Sequence, residues 1–196
     1  MSDIFSLKKQ LVVYGAHHNN KVNVAIHMVF VPTIFWSALV LAANTGPLIR
    51  ASPSSILSLF GPNLGFFVVL GYLCYYVMLD PVAASLSAPF LIAMSYTATK
   101  FLKTNPNATK IAIIIQIVSW TFQFLGHGLA EKRSPKLLDN LVQAFVSAPY
   151  FVFFEVLFHL GYRPELHKEV MLEINKDIAQ FRKKKNKETF KNENVQ

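Results

Sequence analysis

The segment Val24–Ala43, VAIHMVFVPTIFWSALVLAA, carries no formal charge along its length. About 20 apolar residues are enough to cross the hydrocarbon core of a bilayer, because a helix rises about 1.5 Å per residue. We read it as a membrane-spanning helix, and its neighbours follow from it. Three more segments have the same character, at 56–79, 82–98 and 111–126. Between Ile56 and Ala98 the single formal charge is Asp80, followed by Pro81. That pair predicts two helices hinged at a tight turn, with Asp80 as cap or turn former rather than catalytic acid. Gly61-Pro62-Asn63 is a candidate break in the first of the two.

The ends of the chain have a different character. Residues 1–23 place Ile4, Phe5, Leu7, Leu11, Val12 and Tyr14 at roughly helical spacing beside Lys8 and Lys9, the pattern of an interfacial helix. A fifth apolar segment, Leu141–Leu160, contains Pro149, Glu155 and His159. From Tyr162 onward the chain is polar, with Leu166, Val170, Leu172, Ile174 and Ile178 spaced for an amphipathic helix. Arg182, Lys183, Lys184, Lys185 and Lys187 form a basic cluster, which reads as a cytoplasmic signal. Four crossings put both termini in the cytoplasm. A fifth would separate them, so the fifth segment is expected to be re-entrant or interfacial. The expected fold is therefore all-α, a polytopic membrane protein with about four transmembrane helices. One membrane-embedded catalytic domain covers 1–165, and a basic cytoplasmic helix and tail cover 166–196.

Composition agrees with this class. The 196 residues are 53% hydrophobic and 15% charged, against roughly 25% charged in an average soluble domain. The net charge of +8 resides largely in the C-terminal run, which has no interleaved aromatics, so nucleic acid is not an expected partner. The first 22 residues lack the apolar core of a secretory signal, so the first span should be retained. The single cysteine, Cys74, excludes an intrachain disulfide and a cysteine-based metal site. It reads as a small buried apolar side chain.

Histidine is costly near hydrocarbon and needs a reason to be there. His17, His18 and His27 stand at the start of the first span, and His127 stands at the end of the fourth. Four crossings place these distant positions on one face of the membrane. His18 and His27 are nine apart, which would put them on opposite sides of one continuous helix. They converge only if His18 lies in a turn and His27 on the helix, and Asn19, Asn20 and Asn23 favour such a turn. His159 and His167 read as ordinary interfacial or packed imidazoles. A site of imidazoles with water or carboxylate suits zinc, iron, copper or nickel. The clustered histidine boxes of membrane desaturases and the zinc-protease His-Glu-x-x-His are absent from the sequence.

Tyr14-Gly15-Ala16-His17-His18-Asn19-Asn20-Lys21-Val22-Asn23-Val24-Ala25-Ile26-His27, followed by Val31-Pro32, resembles the N-terminal motif of a known family. Trp120, Gln123-Phe124, Gly126-His127, Glu131-Lys132-Arg133-x-Pro135, Asp139-Asn140-Leu141 and Ala148-Pro149 resemble its second motif. The family is the ferrous-iron-dependent 2-hydroxy fatty acid dioxygenases of the endoplasmic reticulum, and the likeness covers roughly residues 5–165. Many members have Pro where Lys21 stands, and many have Tyr where His17 stands.

The resemblance implies a multi-pass enzyme of the endoplasmic reticulum membrane. It would shorten long-chain 2-hydroxy fatty acids by one carbon with dioxygen, as in phytosphingosine breakdown. Fe(II) would be held by His18, His27 and His127. Glu131, Lys132 and Arg133 would act at the substrate: the basic pair would meet the carboxylate, and Glu131 would serve as ligand, base or salt-bridge partner. His17, Asn23 and Asp139 are weaker or supporting candidates. Two alternatives stand beside this reading: a non-enzymatic transporter or scaffold, and a zinc-dependent membrane hydrolase.

Overall fold

A computed structural model describes residues 3–52, 54–131 and 141–193, and every regular element in them is helical. A short turn of 3-10 helix, Asp3–Phe5, leads into α1 (Leu7–Gly15). The chain then turns through His17 and His18 and enters α2 (Lys21–Ala43). Asn20 makes this start: its side chain accepts from the backbone N–H of Val22 at 2.9 Å and of Asn23 at 3.5 Å, the usual service of an N-cap asparagine.

The segment expected as one helix over 56–79 is split. It forms α3 (Leu57–Phe60) and α4 (Leu64–Leu79). Gly61 takes the left-handed conformation at φ +49° and Pro62 has no N–H to donate, so the helix stops, and the Asn63 side chain restarts it on the Phe66 N–H. Asp80 then caps α5 (Pro81–Thr104), accepting from the N–H groups of Val82 and Ala83 at 3.1 Å each. α5 runs past the expected Ala98, because nothing breaks it before Asn105-Pro106. α6 (Ala108–Leu125) follows, and its last turn widens into a π-helical segment, Gly126–Glu131. α7 (Leu141–His159) carries the fifth apolar segment. The chain turns through 118° after it into α8 (Pro164–Glu193).

Among the described residues, three helices are long and apolar enough to span a membrane: Lys21–Ala43, Pro81–Thr104 and Ala108–Glu131. The bent pair α7 and α8 counts as a fourth if it is one broken span, and α4 is a shorter apolar helix of 16 residues. Many large apolar side chains on these helices face outward, among them Phe90, Ile113, Ile117 and Phe122. A lipid-facing surface has this composition. Cys74 belongs to it: it is exposed on α4, not buried as the sequence reading had it.

The centre of the bundle is α2, which packs most extensively against α6 and also touches α4, α5 and α7. Aromatic rings fill the contact between α4 and α7, where Tyr76 stacks on Tyr150 at 4.0 Å and neither is exposed. α8 folds back onto α1, placing Val170 and Ile174 in the core with Leu7, Leu11 and Tyr14. Lys8 adds ion pairs of 2.9 Å to Glu169 and Glu173 across that contact. The hinges are joined through Asp80, which accepts from Tyr162 at 3.1 Å and Arg163 at 2.6 Å. The cap expected at Asp80 is thus also the tie between the α4–α5 and α7–α8 corners.

Candidate metal centre

His18 stands in the turn between α1 and α2, and its Nδ1 lies 2.8 Å from the Tyr14 carbonyl. His27 stands two turns into α2, with its Nδ1 2.9 Å from the Asn23 carbonyl. A carbonyl oxygen can only accept, so both Nδ1 atoms carry the proton and both Nε2 atoms keep a lone pair. Backbone carbonyls fix metal-binding imidazoles in this way. His127 comes from the π-helical segment after α6, and its buried Nδ1 has no hydrogen-bond partner among the described residues.

The three rings meet nearly edge-on, with centroids 4.2 Å apart for His18 and His27 and 4.9 Å for each with His127. One ring nitrogen from each lies within 4.8 Å of the others, and this is the one such group among the described residues. Three nitrogens bound to one ion at about 2.1 Å cannot all lie more than about 3.6 Å apart, so closing on an ion asks each ring to draw in by roughly an ångström. Burial, followed by repulsion from His27, holds the His18 imidazole well below its ordinary range. It is therefore neutral, as a ligand must be. Three converging imidazoles, one with an orphaned buried nitrogen, fit a divalent transition metal.

The other candidate residues sit around this cluster. Glu131 accepts the backbone N–H of Asn20 at 2.9 Å and of Asn19 at 3.1 Å, and the Asn23 side-chain amide at 3.2 Å. Its carboxylate thus clasps the α6 end to the turn that carries His18. Asn23 is fully buried; its side-chain amide N–H also reaches the His17 carbonyl at 3.4 Å, while its side-chain oxygen Oδ1 has no partner among the described residues. His17 is buried with Nδ1 3.0 Å from the Val13 carbonyl, and its ring is not part of the three-imidazole group. His159 bonds the Glu155 carbonyl and His167 stacks on Phe158, both apart from the group. Lys132, Arg133 and Asp139 lie outside the described residues.

The cluster forms the polar end of a cavity of about 340 Å³. α2 supplies one wall, with His27, Val31, Ile34, Phe35, Ala38, Leu39 and Ala42 in succession. From His27 to Ala42 the helix rises through about 15 steps, roughly 22 Å, longer than one leaflet of the ~30 Å hydrocarbon core. Val68 and Tyr72 of α4, Trp120 and Phe124 of α6, and Phe145 and Phe151 of α7 complete the lining. The rim residues Ala38, Phe124 and Phe145 are exposed, so the cavity opens sideways.

Sequence reasoning gave no role to three polar groups of this lining. Gln116 bonds the Ile34 carbonyl and Ser37 hydroxyl at 2.7 and 2.9 Å and accepts from Trp120 at 3.0 Å. Both amide atoms of Gln123 and the Tyr14 hydroxyl are buried without a partner among the described residues. Leaving such a group unpaired costs about 1–3 kcal/mol. Burial pushes the Tyr14 phenol up, so it stays a neutral donor. The available signal was position: Gln123 precedes His127 by one turn, and Tyr14 precedes His18 by one turn.

Residues 4–160 match the family described as 2-hydroxy-palmitic acid dioxygenase Mpo1-like. A curated relative, the 2-hydroxy-palmitic acid dioxygenase MPO1 of Saccharomyces cerevisiae, is 32% identical over 177 residues. The alignment covers 90% of this chain and 93% of the relative. No solved structure matches the chain at a significant level. A match over most of the chain, together with a relative of nearly equal length, establishes that this protein belongs to the Mpo1-like family.

Proposed function

We propose that this protein is a membrane-embedded dioxygenase that shortens long-chain 2-hydroxy fatty acids by one carbon. The observation that carries the reading is three converging imidazoles at the polar end of a long apolar cavity. The relative's activity on 2-hydroxy-palmitic acid supplies the substrate class. His18, His27 and His127 would hold ferrous iron, which supplies the electrons for dioxygen activation when bound. The chain's own residues do the rest. The α2 wall aligns the acyl chain, the sideways opening admits it from the bilayer, and the apolar lining keeps bulk water from the reacting head. The Lys132-Arg133 pair would draw the carboxylate to this end. Glu131 acts on the centre by holding the two halves of the site together. The setting is the endoplasmic reticulum membrane, with both termini cytoplasmic.

The test is turnover of 2-hydroxypalmitate by purified protein with added ferrous iron, with and without air. The expected product is the fatty acid one carbon shorter, formed only with dioxygen. Product without dioxygen would point to a hydrolase, and protein lacking stoichiometric iron would point to a transporter or scaffold. His18→Ala, His27→Ala and His127→Ala should each lose most bound iron and activity while remaining in the membrane. Full iron content in any of them would remove that residue from the ligand set.

A further inference from the structure

Tyr14 and Gln123 both line the cavity that holds the imidazoles, and the Tyr14 hydroxyl and the two amide atoms of Gln123 are buried without partners among the described residues. Gln123 is only 4% exposed. Nothing among the described residues pairs with these atoms, at a cost of about 1–3 kcal/mol for each buried group. An occupant of the cavity would supply the missing partner.

The chemistry of the two side chains narrows the occupant. A carboxamide offers two donor hydrogens and one acceptor oxygen, and a neutral phenol adds a donor. A 2-hydroxy acid presents the complement, a carboxylate that only accepts and a hydroxyl that also donates. An unsubstituted acid leaves the carboxamide oxygen unpaired. Position agrees with this. Gln123 lies one turn before His127 on α6, and the Tyr14 ring stacks on His18 at 3.9 Å. A head group held between them would adjoin the imidazoles, with its chain along the α2 wall of the cavity.

We propose that the Gln123 carboxamide, assisted by the Tyr14 hydroxyl, reads the 2-hydroxyl and carboxylate together and sets the preference for 2-hydroxy acids over unsubstituted ones. This rests on the reading of the substrate as a 2-hydroxy acid. Gln123 is a binding residue here, separate from the imidazole ligands.

The experiment is equilibrium binding of 2-hydroxypalmitate and palmitate to purified protein, read by displacement of a fluorescent fatty acid, with bound iron and thermal stability measured in parallel. Gln123→Met preserves length and removes both polar atoms. It should lower the preference for the hydroxy acid by about five- to hundredfold. Iron content should stay unchanged, and the melting temperature should be unchanged or higher. Tyr14→Phe removes one oxygen and should weaken 2-hydroxypalmitate binding in the same direction. It carries the test alone if Gln123→Met fails to accumulate. An unchanged preference overturns the inference. Joint loss of binding, iron and stability also overturns it, because that is the signature of a structural role. A wild-type protein that binds both acids alike overturns the substrate reading and this inference with it. Discrimination in the wild type that survives in the variants overturns this inference only.

Discussion

The Glu131 carboxylate accepts the backbone N–H of Asn20 at 2.9 Å, joining positions 111 residues apart at the mouth of the histidine cluster. The same carboxylate takes the Asn19 N–H and the Asn23 amide, so three donors from one turn converge on one side chain. The turn carries His18, and the π-helical segment ending in Glu131 carries His127. The relative placement of two proposed ligands therefore depends on this clasp. Glu131→Gln keeps the shape but turns one acceptor oxygen into a donor facing other donors. Iron affinity should fall on the order of 10–100-fold, the range for partners that orient ligands, while the protein stays folded in the membrane. Competition with a chelator of known affinity measures it. Wild-type affinity in Glu131→Gln would show that the clasp does not position the site.

Gly126 allows the close approach that the clasp requires. A Cβ built there would lie 2.5 Å from the Asn23 side-chain oxygen and 3.3 Å from Ile26 Cδ1. Asn23 is fully buried between α2 and the end of α6, so it has little room to give. Gly126→Ala should move Asn23 and α6 apart and loosen the His27–His127 contact. Loss of 1–3 kcal/mol of stability is typical of overpacking, with a parallel drop in bound iron. Equal iron content and melting temperature in Gly126→Ala would mean that the two helices separate without consequence.

Much of this arrangement could be read from residues in advance, and the part that could not has definite physical reasons. Helical geometry allowed His18 and His27 to converge only across a turn, and Asn19, Asn20 and Asn23 marked one; that Asn20 is the cap came from the structure. The four-crossing argument brought His127 to the same end. The inward faces were not legible, because α2 and α4 are apolar on all sides and no stripe marks the core. Cys74 was misplaced for that reason. Gln123 and Tyr14 stood inside the quoted motifs, but their significance lies in missing partners, which only three-dimensional packing reveals. The split at Gly61 and the run of α5 to Thr104 were matters of boundary, set by one left-handed glycine and one distant proline.

Asp80 gives a prediction in pH. Burial raises its carboxyl, but the Ala83 N–H, Arg163 and Tyr162 outweigh that, and the net shift is downward from the ordinary 3.8. A carboxyl depressed by folding stabilises the native state above its unfolded value, and the contribution fades as pH falls through the folded value. Asp80→Asn retains a capping side chain and removes the charge. Arg163 is 48% exposed, so solvent screening limits the pair to about 1 kcal/mol. The variant should melt below the wild type at neutral pH, and the gap should narrow below about pH 4. A gap independent of pH would assign the loss to packing rather than to the ion pair.

Orientation is testable at Asn107, which precedes α6 at the end opposite the histidines. With both termini cytoplasmic and four crossings, the 105–107 corner faces the lumen. In a Cys74→Ala background, Asn107→Cys should resist an impermeant thiol reagent added to sealed microsomes and react once they are opened. Labelling of intact microsomes would invert the arrangement and place the imidazole cluster on the lumenal side.

The last prediction concerns the far end of the cavity, where Ala42 closes the α2 wall fifteen residues from His27. A small side chain there leaves depth for the end of a long acyl chain. Ala42→Phe should shorten the space by several methylenes without touching the head-group end. Each methylene denied burial forfeits about 0.8 kcal/mol, about a fourfold loss in kcat/KM. The loss should therefore grow with chain length and be absent for acids short enough to stop before the new ring. Comparing 2-hydroxylaurate, 2-hydroxymyristate, 2-hydroxypalmitate and 2-hydroxystearate gives the profile. A uniform fall across the series would indicate general disturbance of the bundle. An unchanged profile would mean that the acyl chain does not run along α2, and the cavity would then need another occupant.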